Sequence, residues 1–291
     1  MGPRDGLQNE ARSITTAQKI QFIQNLAGSG LQTIEAGSFV SPRSVPQMAD
    51  SAEVFRGLRR RAGVTYTALV PNLRGLKDAL LAELKEVAVF ASASETFSQR
   101  NITCSIAESL QRYREVTQEA ARNSLRVRAY ISCVAGCPYE GPVSSEAVQM
   151  VANELIEMGC YEVSLGDTIG VGTPSRMEKL LKDLLAHLPA SKFAVHFHDT
   201  WGLALANILI ALQAGISVVD SSTAGLGGCP YAPGATGNAA TEDVVHMLHG
   251  MNIETGVNID AVAQAGREIC TLLKRPVTSK AALALAARGR R

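Results

Sequence analysis

The sequence has no excess of charge of either sign, since 28 Lys and Arg stand against 27 Asp and Glu in 291 residues. Without a general basic or acidic field, neither nucleic acid nor a membrane surface is indicated as the main partner. It also lacks any uninterrupted run of about 18 apolar residues, which excludes an evident transmembrane helix. The start, Met1-Gly2-Pro3-Arg4-Asp5, carries no apolar stretch that could serve as a signal peptide, so a cytoplasmic protein is expected. The six cysteines (Cys104, Cys133, Cys137, Cys160, Cys229 and Cys270) show no disulfide-scaffold pattern and are expected to be reduced. A dinucleotide fingerprint is missing too: the glycines at 225, 227 and 228 follow the last strand rather than the first and lack the G-x-G-x-x-G spacing.

What is present is alternation. Helical periodicity over residues 17–27, 106–123, 144–158, 175–187 and 203–214 is interleaved with β-rich runs at 31–40, 64–70, 87–90, 127–134, 162–165, 193–198 and 217–220. Helices are also expected near 241–249 and 260–273, with a tail over 276–291 that frays. Strand–helix alternation without an interior linker indicates a parallel sheet covered by helices. The expectation is α/β: one (β/α)8 TIM-barrel domain over 1–291, with its first strand missing or truncated, because only seven strands can be counted and three residues precede Arg4.

In a barrel, chemistry gathers at the C-terminal strand ends, and the unusual polar residues fall there. Asp5 lies where a first strand would end, Glu35 follows Ile34, Asp167 follows the 162–165 run, and His196 and His198 close the 193–198 run. Residues i and i+2 of a strand share a face, so both imidazoles point to the barrel interior as half of a divalent-metal site. The competing reading, two core histidines bonded to neighbours, is weaker for a same-face pair beside Asp199. Asp5 can add a carboxylate and Asn238 an amide oxygen, although Asn238 also reads as a turn residue after Gly237. Mixed N and O ligation suits Mg²⁺ or Mn²⁺, with Zn²⁺ or Co²⁺ as substitutes. Cys133 and Cys137 have no second Cys/His pair and read as plain thiols. Cys229 lies in the glycine-rich loop 225–238, where a thiol can move protons or simply be inert.

Gly2-Pro3-Arg4-Asp5-Gly6-Leu7-Gln8 resembles the opening motif of hydroxymethylglutaryl-CoA lyases. Gly225-Leu226-Gly227-Gly228-Cys229-Pro230-Tyr231, with Gly234-Ala235-Thr236-Gly237-Asn238, resembles their catalytic cysteine loop. His196-Phe197-His198, the segment from Ser132 to Gly141, and Ser164-Leu165-Gly166-Asp167-Thr168 also fit. The resemblance implies cleavage of an acyl-CoA substrate, 3-hydroxy-3-methylglutaryl-CoA, to acetyl-CoA and acetoacetate. It further implies a cation on Asp5, His196, His198 and Asn238, with Arg4 stabilising an enolate. Cys229 and His196 would move protons, while Glu35, Asp167, Gln8 and Glu242 orient the ligands. A homodimer is a further family-based expectation.

The family pattern includes a strand ahead of the Gly-Pro-Arg-Asp motif, and here Met1 stands in its place, so an open seam beside Arg4 and Asp5 is expected. Three other readings stay open. They are a lyase for a longer 3-hydroxy-3-alkylglutaryl-CoA, a barrel that binds metal and CoA without turnover, and a synthase of the isopropylmalate or homocitrate type. The last group shares the Arg-Asp-Gly-x-Gln start and His-x-His but not the cysteine loop.

Overall fold

A computed structural model describes residues 1–228 and 237–288. The chain enters through a π-helical turn, Gly2–Gly6, and continues as α1 (Thr16–Gly28), β1 (Thr33–Ser38), α2 (Ser51–Gly57), β2 (Thr65–Leu69), α3 (Leu73–Leu81) and β3 (Glu86–Ser92). It goes on through α4 (Glu95–Ile102), α5 (Ile106–Arg122), β4 (Arg126–Ser132), α6 (Ser145–Glu157), β5 (Val163–Asp167), α7 (Pro174–Leu185) and β6 (Phe193–Phe197). The remainder is α8 (Ala204–Gln213), β7 (Val218–Asp220), α9 (Thr241–Gly250), α10 (Ile259–Leu273) and α11 (Lys280–Arg288).

Local chemistry accounts for most of the helix starts. Thr15 with Gln18, and Ser105 with Glu108, form reciprocal capping boxes on α1 and α5. Side chains of Asn72, Ser94, Ser144 and Asn258 each accept from a first-turn amide, and Thr173 does so ahead of Pro174. Two short helices, α2 and α4, escape the periodicity reading because each is too brief to display an apolar stripe. Within the 276–291 tail the described residues 280–288 are helical. Ser279 and Asp243 tie the start of α11 to α9 through the Ser279 hydroxyl and the Ala281 amide, so it is helical through Arg288.

All seven strands run parallel in the order β1 to β7, forming a curled sheet that stays open between β7 and β1. The Gly2–Gly6 turn sits at that opening, and the Met1 ammonium donates to the Ser221 carbonyl at 3.0 Å beside β7. The eighth staff of a closed barrel is therefore absent among the described residues, as the strand count implies. Outward residues such as Val87, Val89, Ile131, Leu165, Phe193 and Phe197 are buried beneath the helices. Inward residues are unusually polar: Glu35, Arg128, Ser164 and His196 are all buried. Among the described residues no helix is long and apolar enough to cross a membrane.

Candidate active site

The strand ends open on a cavity of about 370 Å³ whose polar lining includes Arg4, Asp5, Gln8, His196 and His198. Val40, Leu69 and Phe90 supply apolar wall. A larger recess of about 790 Å³ on the flank, between α2 and α3, holds none of these groups.

Strand alternation points His196 inward from β6, and its register partner on β5 is Gly166, which has no side chain to contest the space. His198 follows at the strand exit, with ring centroids 5.5 Å apart. Candidate ligand atoms of Asp5, His196 and His198 all lie within 4.8 Å of one another, a spacing that can hold one metal ion. Asp5 arrives from the opposite side of the sheet opening on the Gly2–Gly6 turn.

Asn238 joins them through backbone pairing. Residues 237–240 run along the end of β6, where Asp199 N donates to Gly237 O at 2.9 Å and Ala239 N to Phe197 O at 3.0 Å. The Asn238 amide nitrogen then donates to Asp5 Oδ2 at 2.6 Å and to the Leu226 carbonyl at 3.1 Å. Among the described residues its buried Oδ1 has no hydrogen-bond partner, and neither has Nδ1 of His198. Buried polar atoms are rarely left unpaired, so these two fit a bound cation.

The electrostatics agree with that fit. Burial, aided by the neighbouring His196, lowers the His198 imidazole to about 4, so it is neutral and able to ligate near pH 7. Burial alone would raise the Asp5 carboxyl, but Arg4 and then the two imidazoles outweigh it and hold Asp5 below the usual carboxylate range.

Arg4 is buried and bonded through Nε to Glu35, with Nη1 3.0 Å from Asp5 Oδ1 and 3.5 Å from Gln8 Oε1. Among the described residues Nη2 has no partner, leaving donors for a ligand. Glu35 also accepts from the Tyr130 hydroxyl at 2.8 Å. The structure thus gathers Arg4, Asp5, Gln8, Glu35, His196, His198 and Asn238.

Asp167 and Glu242 lie away from the cavity lining, each fully buried. Asp167 accepts from the amides of Val171 at 3.1 Å and Gly172 at 2.8 Å, which shapes the β5–α7 loop. Its burial outweighs those donors and pushes the carboxyl up to about 6. Both oxygens of Glu242 accept from Ala224 N, at 3.0 and 2.9 Å, anchoring the turn ahead of the cysteine loop. Burial raises its carboxyl to about 7. Cys229 lies outside the described residues.

Three site residues escaped the sequence reading: Arg128, Tyr130 and Asp220. Arg128 donates to Asp220 at 2.9 Å, to Glu162 at 2.6 Å and to the Tyr130 hydroxyl at 3.0 Å. A signal was available, since Arg128 and Tyr130 occupy i and i+2 of a strand whose intervening residues, Val127, Ala129 and Ile131, are apolar. Charge on the inward face of a parallel strand that should be buried on both faces marks a polar interior.

Comparison with known proteins is consistent along the chain. The HMGL-like family model matches residues 1–269. The 3-hydroxy-3-isohexenylglutaryl-CoA/hydroxy-methylglutaryl-CoA lyase of Pseudomonas aeruginosa is 57% identical, covering 99% of this chain and 96% of its own. The hydroxymethylglutaryl-CoA lyase of Pseudomonas mevalonii is 55% identical, covering 100% and 97%. The crystal structure of hydroxymethylglutaryl-CoA lyase from Pseudomonas aeruginosa superposes with a TM-score of 0.96 at 57% identity, covering 99% and 96%. An HMG-CoA lyase from Acinetobacter baumannii, solved with coenzyme A and 3-methylmalate, gives 0.93 at 35% identity, covering 97% and 92%. Joined to an Asp–His–His cluster and an adjacent arginine at the strand ends, matches of this extent establish that the chain belongs to the HMGL-like family of carbon–carbon lyases.

Proposed function

We propose that this chain cleaves 3-hydroxy-3-methylglutaryl-CoA to acetyl-CoA and acetoacetate in a retro-Claisen reaction. The observation that carries the reading is the grouping of Asp5, His196, His198 and Asn238 beside Arg4, in one cavity of a chain so close to known lyases. Asp5, His196, His198 and Oδ1 of Asn238, unpaired among the described residues, would hold Mg²⁺ or Mn²⁺. That cation supplies Lewis acidity to the substrate's hydroxyl and carboxylate oxygens.

A base removes the proton of the 3-hydroxyl, its electron pair forms the ketone of acetoacetate, and the bond to the thioester-bearing carbon breaks. The electron pair of that bond leaves as the enolate of acetyl-CoA, which is then protonated on carbon. Arg4, always charged and with Nη2 free among the described residues, donates to the enolate oxygen. His196 and Cys229 are the proton carriers of this proposal. Glu35 fixes Arg4, Gln8 steadies its other edge, and Asp167 and Glu242 position the β5–α7 loop and the turn at Ala224. A cytosolic homodimer completes the reading.

A second substrate has an observation in its favour. The wall formed by Val40, Leu69 and Phe90 is apolar, as a longer 3-alkyl branch requires. The Pseudomonas aeruginosa relative is named for both 3-hydroxy-3-isohexenylglutaryl-CoA and the methyl compound.

The deciding experiment measures acetoacetate released from 3-hydroxy-3-methylglutaryl-CoA with Mn²⁺, then with excess chelator, then with Mn²⁺ restored. Activity that vanishes and returns is expected. Chelator-resistant activity would remove the cation from the proposal, and cleavage of the isohexenyl substrate alone would transfer the assignment to it.

A further inference from the structure

We propose that Asp220 is a positioning residue for His196, fixing the imidazole with Nδ1–H toward the barrel interior and Nε2 toward the cation. The inference rests on the cation-site reading above. His196 and Asp220 are register partners on the adjacent parallel strands β6 and β7, so their side chains leave the sheet on the same face at the same height. Nδ1 of His196 is buried with no hydrogen-bond partner among the described residues, and Asp220 Oδ2 lies 3.5 Å away. On the other edge of the ring, Nε2 faces Asp5 Oδ2 at 3.7 Å. A carboxylate therefore stands behind the imidazole and a candidate ligand stands in front of it.

Asp220 is itself held. The Ser164 hydroxyl donates to its Oδ2 at 2.7 Å and Arg128 Nη1 donates to the same oxygen at 2.9 Å. Arg128 is anchored by Glu162 at 2.6 Å, so the carboxylate cannot swing away without breaking charged bonds in the interior. The ion pair with Arg128 and the Ser164 hydroxyl both favour the carboxylate form of Asp220. An anion facing Nδ1 favours the tautomer that carries its proton there. That leaves the Nε2 lone pair free on the cation side and makes it a better ligand.

The arrangement also reaches Arg4. Arg128 Nη1 bonds the Tyr130 hydroxyl at 3.0 Å, Tyr130 donates to Glu35 at 2.8 Å, and Glu35 binds Arg4. One polar chain through the barrel interior thus braces both the imidazole behind the cation site and the guanidinium beside it.

The test compares the full chain with Asp220→Asn by two readouts that a plain structural ion pair would leave alone. The first is the tautomer of His196 in ¹⁵N-labelled, cation-free protein, read from two-bond ¹⁵N–¹H couplings. The second is Mn²⁺ affinity, followed by electron paramagnetic resonance. Wild type is expected to show the Nδ1–H form. Asp220→Asn is expected to lose that preference and bind Mn²⁺ roughly 10–100-fold more weakly, with His198 resonances little changed. A folded Asp220→Asn protein with the wild-type tautomer and Mn²⁺ affinity overturns the inference.

Should Asp220→Asn fail to fold, Ser164→Ala carries the test: it removes one of the two donors holding the carboxylate and is expected to shift both readouts in the same direction by a smaller factor. An unmoved tautomer and affinity there also overturn the inference. Wild-type protein that binds no Mn²⁺ yet shows the Nδ1–H tautomer sinks the cation reading while keeping the Asp220–His196 contact, so the two failures are told apart.

Discussion

Arg4 shows how one residue can be costly to remove for two separate reasons. Its guanidinium is buried against Glu35 and Asp5, so Arg4→Gln strands carboxylates in the interior and is expected to cost about 3–5 kcal/mol of stability. The double variant Arg4→Gln/Glu35→Gln replaces the ion pair by two neutral amides and should recover much of that stability in denaturant unfolding. Turnover should stay depressed in both by about 100–1,000-fold, because the oxyanion donor is gone. Wild-type kcat in the double variant would take Arg4 out of the chemistry. Glu242 gives a pH signature at the same scale. Its carboxyl is raised from an ordinary 4.5 to about 7 by burial, so between those values the native state binds a proton that the unfolded chain has released. Its contribution is thus full below about 4.5 and is lost as pH rises through about 7. Glu242→Gln should flatten that slope and leave the protein up to about 3 kcal/mol more stable at pH 8 than wild type. Unchanged pH dependence of unfolding would show that the carboxyl is not held protonated. The sequence made Arg4, Asp5 and the two histidines legible as a group, because motif and strand parity need no tertiary knowledge. Asp220 looked like a strand end, and its partners Ser164 and Arg128 are remote in sequence.

At the scale of elements, the exit of β6 and the 237–240 segment form one unit. Gly237 lies at φ +100°, and a Cβ there would stand 1.9 Å from the Gly227 carbonyl oxygen. Gly237→Ala therefore has to part the two stems of the loop and draw Asn238 away from Asp5. We expect it to lower Mn²⁺ affinity at least about 10-fold and stability by about 2 kcal/mol or more. Gly63→Ala is the control: its φ is +78° but nothing lies within 4 Å of the added carbon, so it should cost about 1 kcal/mol and leave Mn²⁺ binding alone. Equal Mn²⁺ affinities in the two variants would refute the role given to the stem. Helices α1 and α5 were readable from sequence nearly to the residue, since apolar periodicity is a local pattern. The pairing that brings Asn238 to His198 was not, because an isolated bridge of so few residues leaves no periodicity.

Across the whole molecule, the candidate cation ligands come from both sides of an open sheet: Asp5 from the entry turn, and His196 and His198 from β6 and its exit. An ion held there ties the entry turn to the sheet, so folding and binding should be linked. Mn²⁺ at 100 times its Kd is expected to stabilise the chain by about 2.7 kcal/mol, seen as a rise in Tm of several degrees that chelator reverses. A Tm indifferent to both additions would place the ion elsewhere or nowhere. The strand–helix alternation, the count of seven strands and the grouping of polar residues at strand ends were determined by the sequence alone. Each follows from local propensity, from the period of side-chain direction, or from a contiguous motif. Only the tertiary structure decided which polar residues share the interior, since strand pairing sets β5 and β7 beside β6 and curling brings Arg128 of β4 to Asp220 of β7, placing Arg128, Ser164 and Asp220 behind His196. Contacts between residues dozens of positions apart depend on register and curvature, and no single stretch of sequence encodes either one.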